Sequence, residues 1–227
     1  MDVIDAIKER KSIRSFRPES VPKETLHHIL EVACRAPSSV NQQPWEFAVI
    51  AGDVLEKVRQ LNTDLLLSGT TPQRDYPTQD RPKDSVYRKR QVDLAATIFE
   101  RMNIPREDKA KRMDWLLRGF AFFGAPAAIV IFSDKCLGDS GSLLDIGAVM
   151  QNICLAALEF GLGTCIENQG IQYSDMLREV IGIPDTKKIA VSIAVGYPDW
   201  EFPANSLLTP REPVDKLTLW RGFEPSE

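Results

Sequence analysis

The chain has 227 residues, of which 43% are hydrophobic, and a formal net charge of −4 at pH 7. This length and apolar content suffice for one domain with a substantial core. The negative balance argues against a nucleic-acid-binding protein, because binding to a phosphate backbone needs clustered, uncompensated Lys and Arg. We find no apolar stretch of the roughly 18–20 residues that span a bilayer and no signal-like N-terminus, so we predict a cytoplasmic protein without a membrane partner.

The cysteines and histidines give no pattern typical of a metal site. The two histidines, His27 and His28, are adjacent on a predicted helix and therefore face about 100° apart, which does not suit joint ligation. The four cysteines lack Cys-x-x-Cys spacing, and we expect reduced and mostly buried thiols. They are Cys34, Cys136, Cys154 and Cys165.

Two helices are predicted near the N-terminus. Residues 2–12 place apolar side chains on one face and have Asp2 at the capping position, so the end of this helix delivers Arg10 to Arg14. The apolar face carries Val3, Ile4 and Ile7. A second helix begins near Pro22 and ends at Pro37.

The middle of the chain alternates between strand, helix and loop patterns. Residues 45–51 alternate as a strand does, and residues 54–67 are predicted to be helical. Residues 68–82 are rich in Pro, Thr, Gln and Asp, which predicts a mobile loop. This loop fits a lid and a plain surface excursion equally well. Two further helices are predicted over residues 85–104 and 106–123.

The C-terminal half supplies the most apolar elements. Residues 127–132 and 188–197 predict strands, and the latter has apolar residues on both faces. Residues 146–160 are apolar nearly all round, which indicates a buried helix or a helix at an oligomer interface. The tail 202–227 has four prolines and little periodicity, so a second subunit is one surface that could order it.

These elements predict an α+β fold in a single domain, residues 1–227. We expect a central mixed, mainly antiparallel sheet with helices on both faces. Neither a repeat nor a break in composition suggests a domain boundary. The segment 68–123 is interpreted as an insertion that carries lid helices.

Two motifs suggest chemistry that we reject. Gly138-Asp139-Ser140-Gly141-Ser142 is similar to a serine-protease nucleophile turn, but the base would have to be a histidine on a helix. Gly161-x-Gly163 follows a helix, whereas a dinucleotide fingerprint opens one, and Ile166 stands where that fingerprint has Gly or Ala. We interpret Gly161-x-Gly163 as a helix C-cap turn.

A cationic stretch follows the first predicted helix. Several cations beside a hydroxyl can hold a phosphate monoester. The same stretch, taken alone, is also typical of a solvated helix face. Its candidate ligands are Arg10, Lys11, Ser12 and Arg14.

A polar turn follows the second predicted helix. Residues 36–45 combine proline with serine and asparagine, and such a turn offers backbone and side-chain groups to a planar polar ring. The candidate residues are Pro37, Ser38, Ser39 and Asn41.

Two later segments complete a pattern. Residues 164–170 follow the apolar helix, and Gly196-Tyr197-Pro198 ends the last strand and precedes Arg211. The order and spacing of these four short motifs resemble the nitroreductase family over essentially the full chain. The likeness extends to its long-insertion members, such as nitrobenzoate reductases. In residues 164–170 the family's flavin contacts correspond to Cys165, Ile166, Glu167 and Asn168.

The resemblance implies FMN as cofactor and assigns roles to these residues. Arg10, Ser12 and Arg211 would hold the phosphate with help from Lys11, and Arg14 would lie near the flavin N1–C2=O edge. The backbone amide of Glu167 or Asn168 would donate to flavin N5. The turn residues Pro37, Ser38, Ser39 and Asn41 would come from the other subunit of a homodimer.

The sequence departs from the family pattern at two positions. Family members often carry Gly where this chain has Asn168, and relatives often have Asn at the position of Gly119, where it touches the flavin pyrimidine. Asn168 implies that the local backbone differs from that of the family. Gly119 implies that a flavin contact is lost or moved.

The function that the resemblance implies is reduction of nitroaromatics, quinones or related acceptors by a ping-pong mechanism with NADH or NADPH. FMN carries the chemistry, so no catalytic side chain is expected. The expected assembly is an obligate homodimer with swapped tails and two flavins at the interface. Reductive dehalogenation, enone reduction and flavin ring cleavage on the same scaffold, or a non-enzymatic flavin-binding role, are left open.

Overall fold

A four-stranded antiparallel sheet forms the centre of the molecule. The structure is a computed structural model that describes residues 1–77 and 80–223. The strands lie in the order β1-β2-β4-β3, so the two long central strands are flanked by shorter edge strands. They are β1 (Glu46–Ala51), β2 (Ala127–Asp134), β3 (Gly163–Glu167) and β4 (Lys187–Gly196).

Seven α-helices occur in the described part of the chain and surround this sheet. They are α1 (Val3–Glu9), α2 (Lys23–Ala33), α3 (Gly52–Leu67), α4 (Val86–Arg101), α5 (Lys109–Phe120), α6 (Asp139–Glu159) and α7 (Ser174–Ile181). The α+β class is confirmed. The predicted mixed sheet is antiparallel throughout its four strands, and parallel pairing is limited to isolated bridges such as Ser12 with Thr164.

Local capping explains where several helices begin and end. The Asp2 carboxylate accepts a hydrogen bond from the Ile4 amide at 2.8 Å, and the Ser85 hydroxyl accepts one from the Arg88 amide at 3.1 Å. Each bond satisfies an amide that has no partner within its helix. Gly182 ends α7 with a φ of 81°, a left-handed conformation that glycine adopts without a steric penalty.

The core consists of two layers, one on each face of the sheet. Alternate residues of β2 point to opposite faces, so Ile129 and Ile131 pack with α2 and α6 while Val130 packs with α3 and α7. Every one of the first seven residues of β2 is buried. The prediction that both faces of β4 are covered is confirmed.

Helix α6 is longer than predicted. It begins at Asp139, before the predicted start at residue 146, and has 21 residues. By length and composition it could cross a membrane, so the expectation that no stretch reaches that length is wrong. Ile146, Val149 and Ile153 pack in the core against the sheet, which fits a core helix of this fold.

No described residue of the chain covers the apolar face of α1. Val3, Ile4 and Ile7 are 62%, 54% and 51% exposed, and Ala6 is the buried residue of this helix. Large apolar side chains of the tail are also exposed, among them Leu217, Leu219, Trp220 and Phe223. The last tail residues, 224–227, lie outside the described residues.

The beginning of the predicted mobile loop is anchored. The Gln73 amide donates to the Gln172 carbonyl at 2.9 Å, and Tyr173 donates from its hydroxyl to the Thr70 carbonyl at 3.2 Å. Hydrogen bonds to the segment before α7 therefore anchor residues 70–75, and the mobility of the loop stays a prediction. Residues 78 and 79 of the same loop lie outside the described residues.

A buried ion pair anchors the loop further along. The Asp75 carboxylate accepts from the Arg178 guanidinium and, at 2.7 Å, from the Ile189 amide of β4. Arg178 is 8% exposed and also pairs with Asp175, which is largely exposed. Asp75 thus joins the loop to α7 and β4 in one network.

We expect Asp75→Asn to lower the free energy of unfolding by roughly 2–3 kcal/mol, because it leaves a buried guanidinium without its main partner. The matched control Asp175→Asn removes an exposed partner of the same arginine and should cost less than about 1 kcal/mol. Urea denaturation of both variants measures the difference. Equal losses of unfolding free energy in the two variants would show that the Asp75 pair contributes no more than the exposed Asp175 pair.

Candidate active site

A cationic pocket of about 910 Å³ opens at the β3 edge of the sheet. Five parts of the chain line it: the end of α1 with the segment that follows it, Leu94 of α4, Gln151 of α6, Ile166 of β3, and the tail from Leu207 to Arg211. The pocket contains five cationic side chains and, among the described residues, no acidic one. The cations are Lys8, Arg10, Lys11, Arg14 and Arg211.

The segment after α1 reaches the pocket because it runs along β3. Helix α1 ends at Glu9, earlier than predicted, and the Ile13 amide donates to the Thr164 carbonyl at 2.9 Å. In extended backbone alternate side chains point to opposite sides, so Ser12 faces the pocket while Ile13 is buried with 2% exposure. The candidate phosphate ligands therefore lie on a strand-like segment, and the alternative of a solvated helix face does not apply to them.

Lys11 differs from its neighbours. Its ammonium group lies 5.3 Å from the centroid of the Trp200 ring, where a cation–π interaction is favourable. Lys11 also lines a smaller pocket of about 230 Å³ beside Trp200. The structure thus places Lys11 at the boundary between two pockets.

Arg211 comes to the same pocket from the far end of the chain. Its guanidinium donates to the Thr209 hydroxyl at 2.7 Å and to the Thr209 carbonyl at 3.0 Å. These local bonds hold the guanidinium against the backbone of the two preceding residues, and Arg211 remains exposed at the pocket. The structure therefore brings Arg10 and Arg211 together, as the sequence predicts.

The polar turn lies elsewhere. Pro37, Ser38, Ser39 and Asn41 do not line the cationic pocket of their own chain. The Ser39 amide lies 3.3 Å from both carboxylate oxygens of the buried Asp145 on α6, so α6 fixes the turn. Within one chain, the two predicted halves of the site remain apart.

The backbone of this turn is strained. Val40, Asn41 and Gln43 have φ values of 45°, 58° and 47°. For a β-branched residue such as Val40 this left-handed conformation is an outlier, and such strain persists only where surrounding structure imposes it. The Val40 side chain is 93% exposed, so nothing within the described chain covers the tip of the turn.

Strand β3 presents different side chains to its two faces. Ile166 lines the pocket, whereas Cys165 and Glu167 point into the core layer on the other side. Burial raises the pKa of the Cys165 thiol to about 12. The Cys165 thiol does not line the pocket, but it interacts with the hydroxyl of Ser12 and the charge of Arg14, which both lower its pKa against the effect of burial. Asn168 follows the strand and is exposed.

The buried Glu167 carboxyl is a feature that the sequence analysis missed. One oxygen accepts from the Ser192 hydroxyl at 2.7 Å and the other from the Gly170 amide at 2.8 Å. Burial raises the pKa of Glu167 to about 7, although both hydrogen bonds and the charge of Arg74 act in the opposite direction. A serine within the apolar strand β4 is the sequence signal that could have indicated a buried polar partner.

Gly119 makes room for Gln169. A Cβ atom at position 119 would overlap the Gln169 carboxamide, which also donates to the Leu116 carbonyl at 3.4 Å. The carboxamide of Gln169 thus fills the volume that a side chain at position 119 would need. No cluster of potential metal ligands occurs in the described part of the chain.

Glu167→Gln should change how stability depends on pH. Because the folded-state pKa is raised above the ordinary value of 4.5, the protonated carboxyl stabilises the fold below pH 4.5, and this contribution is lost as pH rises through about 7. The difference in unfolding free energy between wild type and Glu167→Gln should therefore shrink from pH 4.5 to 8. Urea denaturation at several pH values measures it, and a constant difference would contradict the raised pKa.

The comparisons with known proteins agree with this geometry. Residues 7–197 match the model of the nitroreductase family. The 4-nitrobenzoate reductase of Nocardioides sp. is 31% identical over 97% of this chain and 91% of its own length. The FMN and NADPH-dependent nitroreductase NfnB from Sphigopyxis sp. strain HMH superposes with a TM-score of 0.93 at 27% identity, covering 98% of this chain and all of that one. The FMN-dependent NfnB from Mycobacterium smegmatis in complex with NADPH gives a TM-score of 0.90 at 25% identity, over 97% of this chain and 100% of that one. This chain belongs to the nitroreductase family.

Proposed function

We propose that this protein is an FMN-dependent oxidoreductase that uses NADH or NADPH to reduce nitroaromatics, quinones or related small acceptors. The observation that supports it most is the pocket with five cations and, among the described residues, no acidic side chain, which suits an anionic cofactor. Apolar Ile166 and Leu208 line the same pocket and suit a flat ring. Bound FMN supplies the hydride chemistry, so the protein contributes binding, orientation and electrostatics.

The phosphate of FMN would bind to Arg10, Ser12 and Arg211, with assistance from Lys11. Arg10 and Ser12 are alternate residues of the extended segment and share the pocket face, and Arg211 is exposed opposite them. Two guanidinium groups and a hydroxyl give several charge-assisted hydrogen bonds to a phosphate.

Arg14 would lie near the N1–C2=O edge of the flavin. It lines the pocket two residues beyond Ser12, and its guanidinium donates to the Ser12 carbonyl at 3.3 Å. A cation at that edge stabilises the negative charge of the reduced flavin and so favours reduction.

For the donor to flavin N5, we favour the backbone amide of Asn168 over that of Glu167. Thr164 accepts from Ile13 on the outer edge of β3, and the polar groups of a strand alternate between its two edges. The amide of Glu167 is therefore directed toward β4. Asn168 lies just past the strand and is exposed, so its amide suits the pocket side.

A second copy of the chain would complete the site as a homodimer. The exposed apolar face of α1, with Val3, Ile4 and Ile7, borders the pocket through Ile7 and needs a cover. The turn Pro37–Asn41, held by Asp145, would contact the flavin bound to the other chain. The apolar tail side chains would pack on the partner.

Segment 68–123 would cover the site as a lid within one domain of residues 1–227. Leu94 of α4 already lines the pocket. A cytoplasmic location remains a prediction from composition.

Purified protein tests the function directly. A yellow protein that oxidises NADH or NADPH only when a nitroaromatic or quinone is added would support the proposal. Turnover of halophenols or enones alone would assign another reaction to the same pocket. A colourless protein that binds no added FMN would overturn the proposal.

We expect Arg10→Ala and Arg211→Ala each to weaken FMN binding about ten- to a hundredfold, because each removes a charge-assisted contact worth roughly 1.5–3 kcal/mol. Arg17→Ala, which removes an exposed arginine outside the pocket, is the control. Fluorescence titration of FMN into the apo proteins gives the affinities. Unchanged affinity in both pocket variants would remove the phosphate assignment.

We expect deletion of residues 213–227 to lower both dimer stability and flavin content, because the tail would pack on the partner and the partner would supply the polar turn. The measurement is sedimentation velocity followed at protein and flavin wavelengths. Trp220→Ala, which removes one exposed ring, should give a smaller effect of the same kind. A stable monomer that retains its full FMN would show that each site is built within one chain.

A further inference from the structure

The backbone of Arg14 is held on both sides by side chains from other elements. Its amide donates to the Asn205 carboxamide oxygen at 2.6 Å, and its carbonyl accepts from the Arg118 guanidinium at 2.9 Å. Asn205 follows β4 in the C-terminal segment, and Arg118 lies in the last turn of α5. Residues 191 and 104 positions away thus fix one pocket residue.

The side chain of Asn205 makes three hydrogen bonds, two of them to the backbone of Arg14 and Ser15. It is fully buried, and its amide nitrogen donates to the Ser15 carbonyl at 2.8 Å and to the Asp199 carbonyl at 2.7 Å. A buried carboxamide with three good hydrogen bonds is a rigid support, since loss of any bond leaves a buried polar group unsatisfied.

Arg118 is held in place by aromatic packing. Its guanidinium lies 4.6 Å from the centroid of the Phe202 ring, and that ring is nearly parallel to Trp115. Burial lowers the pKa of Arg118, and its Nε has no hydrogen-bond partner among the described residues. The charge of Asp199 acts in the opposite direction on this pKa, so the partly buried guanidinium is stabilised by that carboxylate, the Phe202 ring and the Arg14 carbonyl.

We propose that Arg118 and Asn205 are positioning residues that clamp the backbone of Arg14 and thereby fix the guanidinium of Arg14 in the pocket. The inference rests on the proposed function, in which Arg14 tunes the flavin. The clamp joins α5, which belongs to segment 68–123, to the C-terminal segment at the pocket cation. Movement of α5 therefore changes the position of that cation.

The test uses the holoenzyme and the variants Arg118→Met and Arg118→Lys, because removal of the fully buried Asn205 could unfold the chain. The matched control is Arg112→Met. Arg112 lies on the same helix and also stacks on a phenylalanine, Phe99, at 5.1 Å, but it donates to the Arg106 carbonyl at 3.1 Å. The measured quantity is the FMN midpoint potential, obtained by spectroelectrochemistry in wild-type and Arg14→Gln backgrounds.

The proposal predicts that Arg118→Met lowers the midpoint potential in the wild-type background. Arg118→Lys should lower it less than Arg118→Met does, and Arg112→Met should leave it unchanged. In the Arg14→Gln background, Arg118→Met should give no further decrease. An equal decrease in both backgrounds would show that Arg118 acts through its own charge, which would overturn the proposal.

Amide hydrogen exchange of the segment around residues 13–16, measured without FMN, separates this proposal from the proposed function. Arg118→Met should speed exchange there and Arg112→Met should not. Unchanged exchange would overturn the clamp whether or not FMN binds. Faster exchange with an unchanged potential would retain the clamp and instead reject the role of Arg14 at the flavin.

Discussion

The candidate site depends on one backbone pairing, in which the extended segment after α1 lies along the outer edge of β3. The hydrogen bond from Ile13 to Thr164 sets the register, and the pocket residues on either side of Ile13 follow from it. Gly163 permits this approach, since a Cβ there would lie 2.5 Å from Ile13 and 2.8 Å from Pro198. The glycine pair after α6 thus has two roles. Gly161 ends the helix with a φ of 67°, and Gly163 admits a neighbouring strand.

The alternation of β3 separates two electrostatic environments across a single strand. On one face Ile166 borders a pocket whose charged side chains are all cationic, although the chain as a whole carries a net charge of −4. On the other face Glu167 is buried with Ser192 and Gly170. Negative charge is thereby kept off the pocket face, which leaves the pocket cations available for an anionic ligand. The backbone polar groups of β3 also alternate between its two edges, which decides which amides point toward the pocket and which bond to β4.

The described residues of the single chain leave a strained polar turn and an apolar helix face uncovered. Asp145 fixes a turn that has Val40 in a left-handed conformation at its exposed tip, and α1 presents Val3, Ile4 and Ile7 to solvent. A second copy would remove apolar surface from water and bring the turn to a pocket, so one assembly would satisfy both features.

The sequence by itself determined most elements and part of the pocket lining. Of the predicted site residues, six line the pocket and seven do not: Arg10, Lys11, Ser12, Arg14, Ile166 and Arg211 line it, and Pro37, Ser38, Ser39, Asn41, Cys165, Glu167 and Asn168 do not. Helices α2 to α5 and strands β1, β2 and β4 lie within a few residues of the predicted bounds, because capping groups, prolines and apolar periodicity act over a few neighbouring residues.

Tertiary structure decided what the local pattern could not. It made residues 163–167 an edge strand, anchored the predicted mobile loop through Asp75, and placed Asn205 and Arg118 on the backbone of Arg14. The contacts of Asp75 with Ile189 and of Arg14 with Asn205 and Arg118 join residues more than a hundred positions apart, so no local propensity determines them.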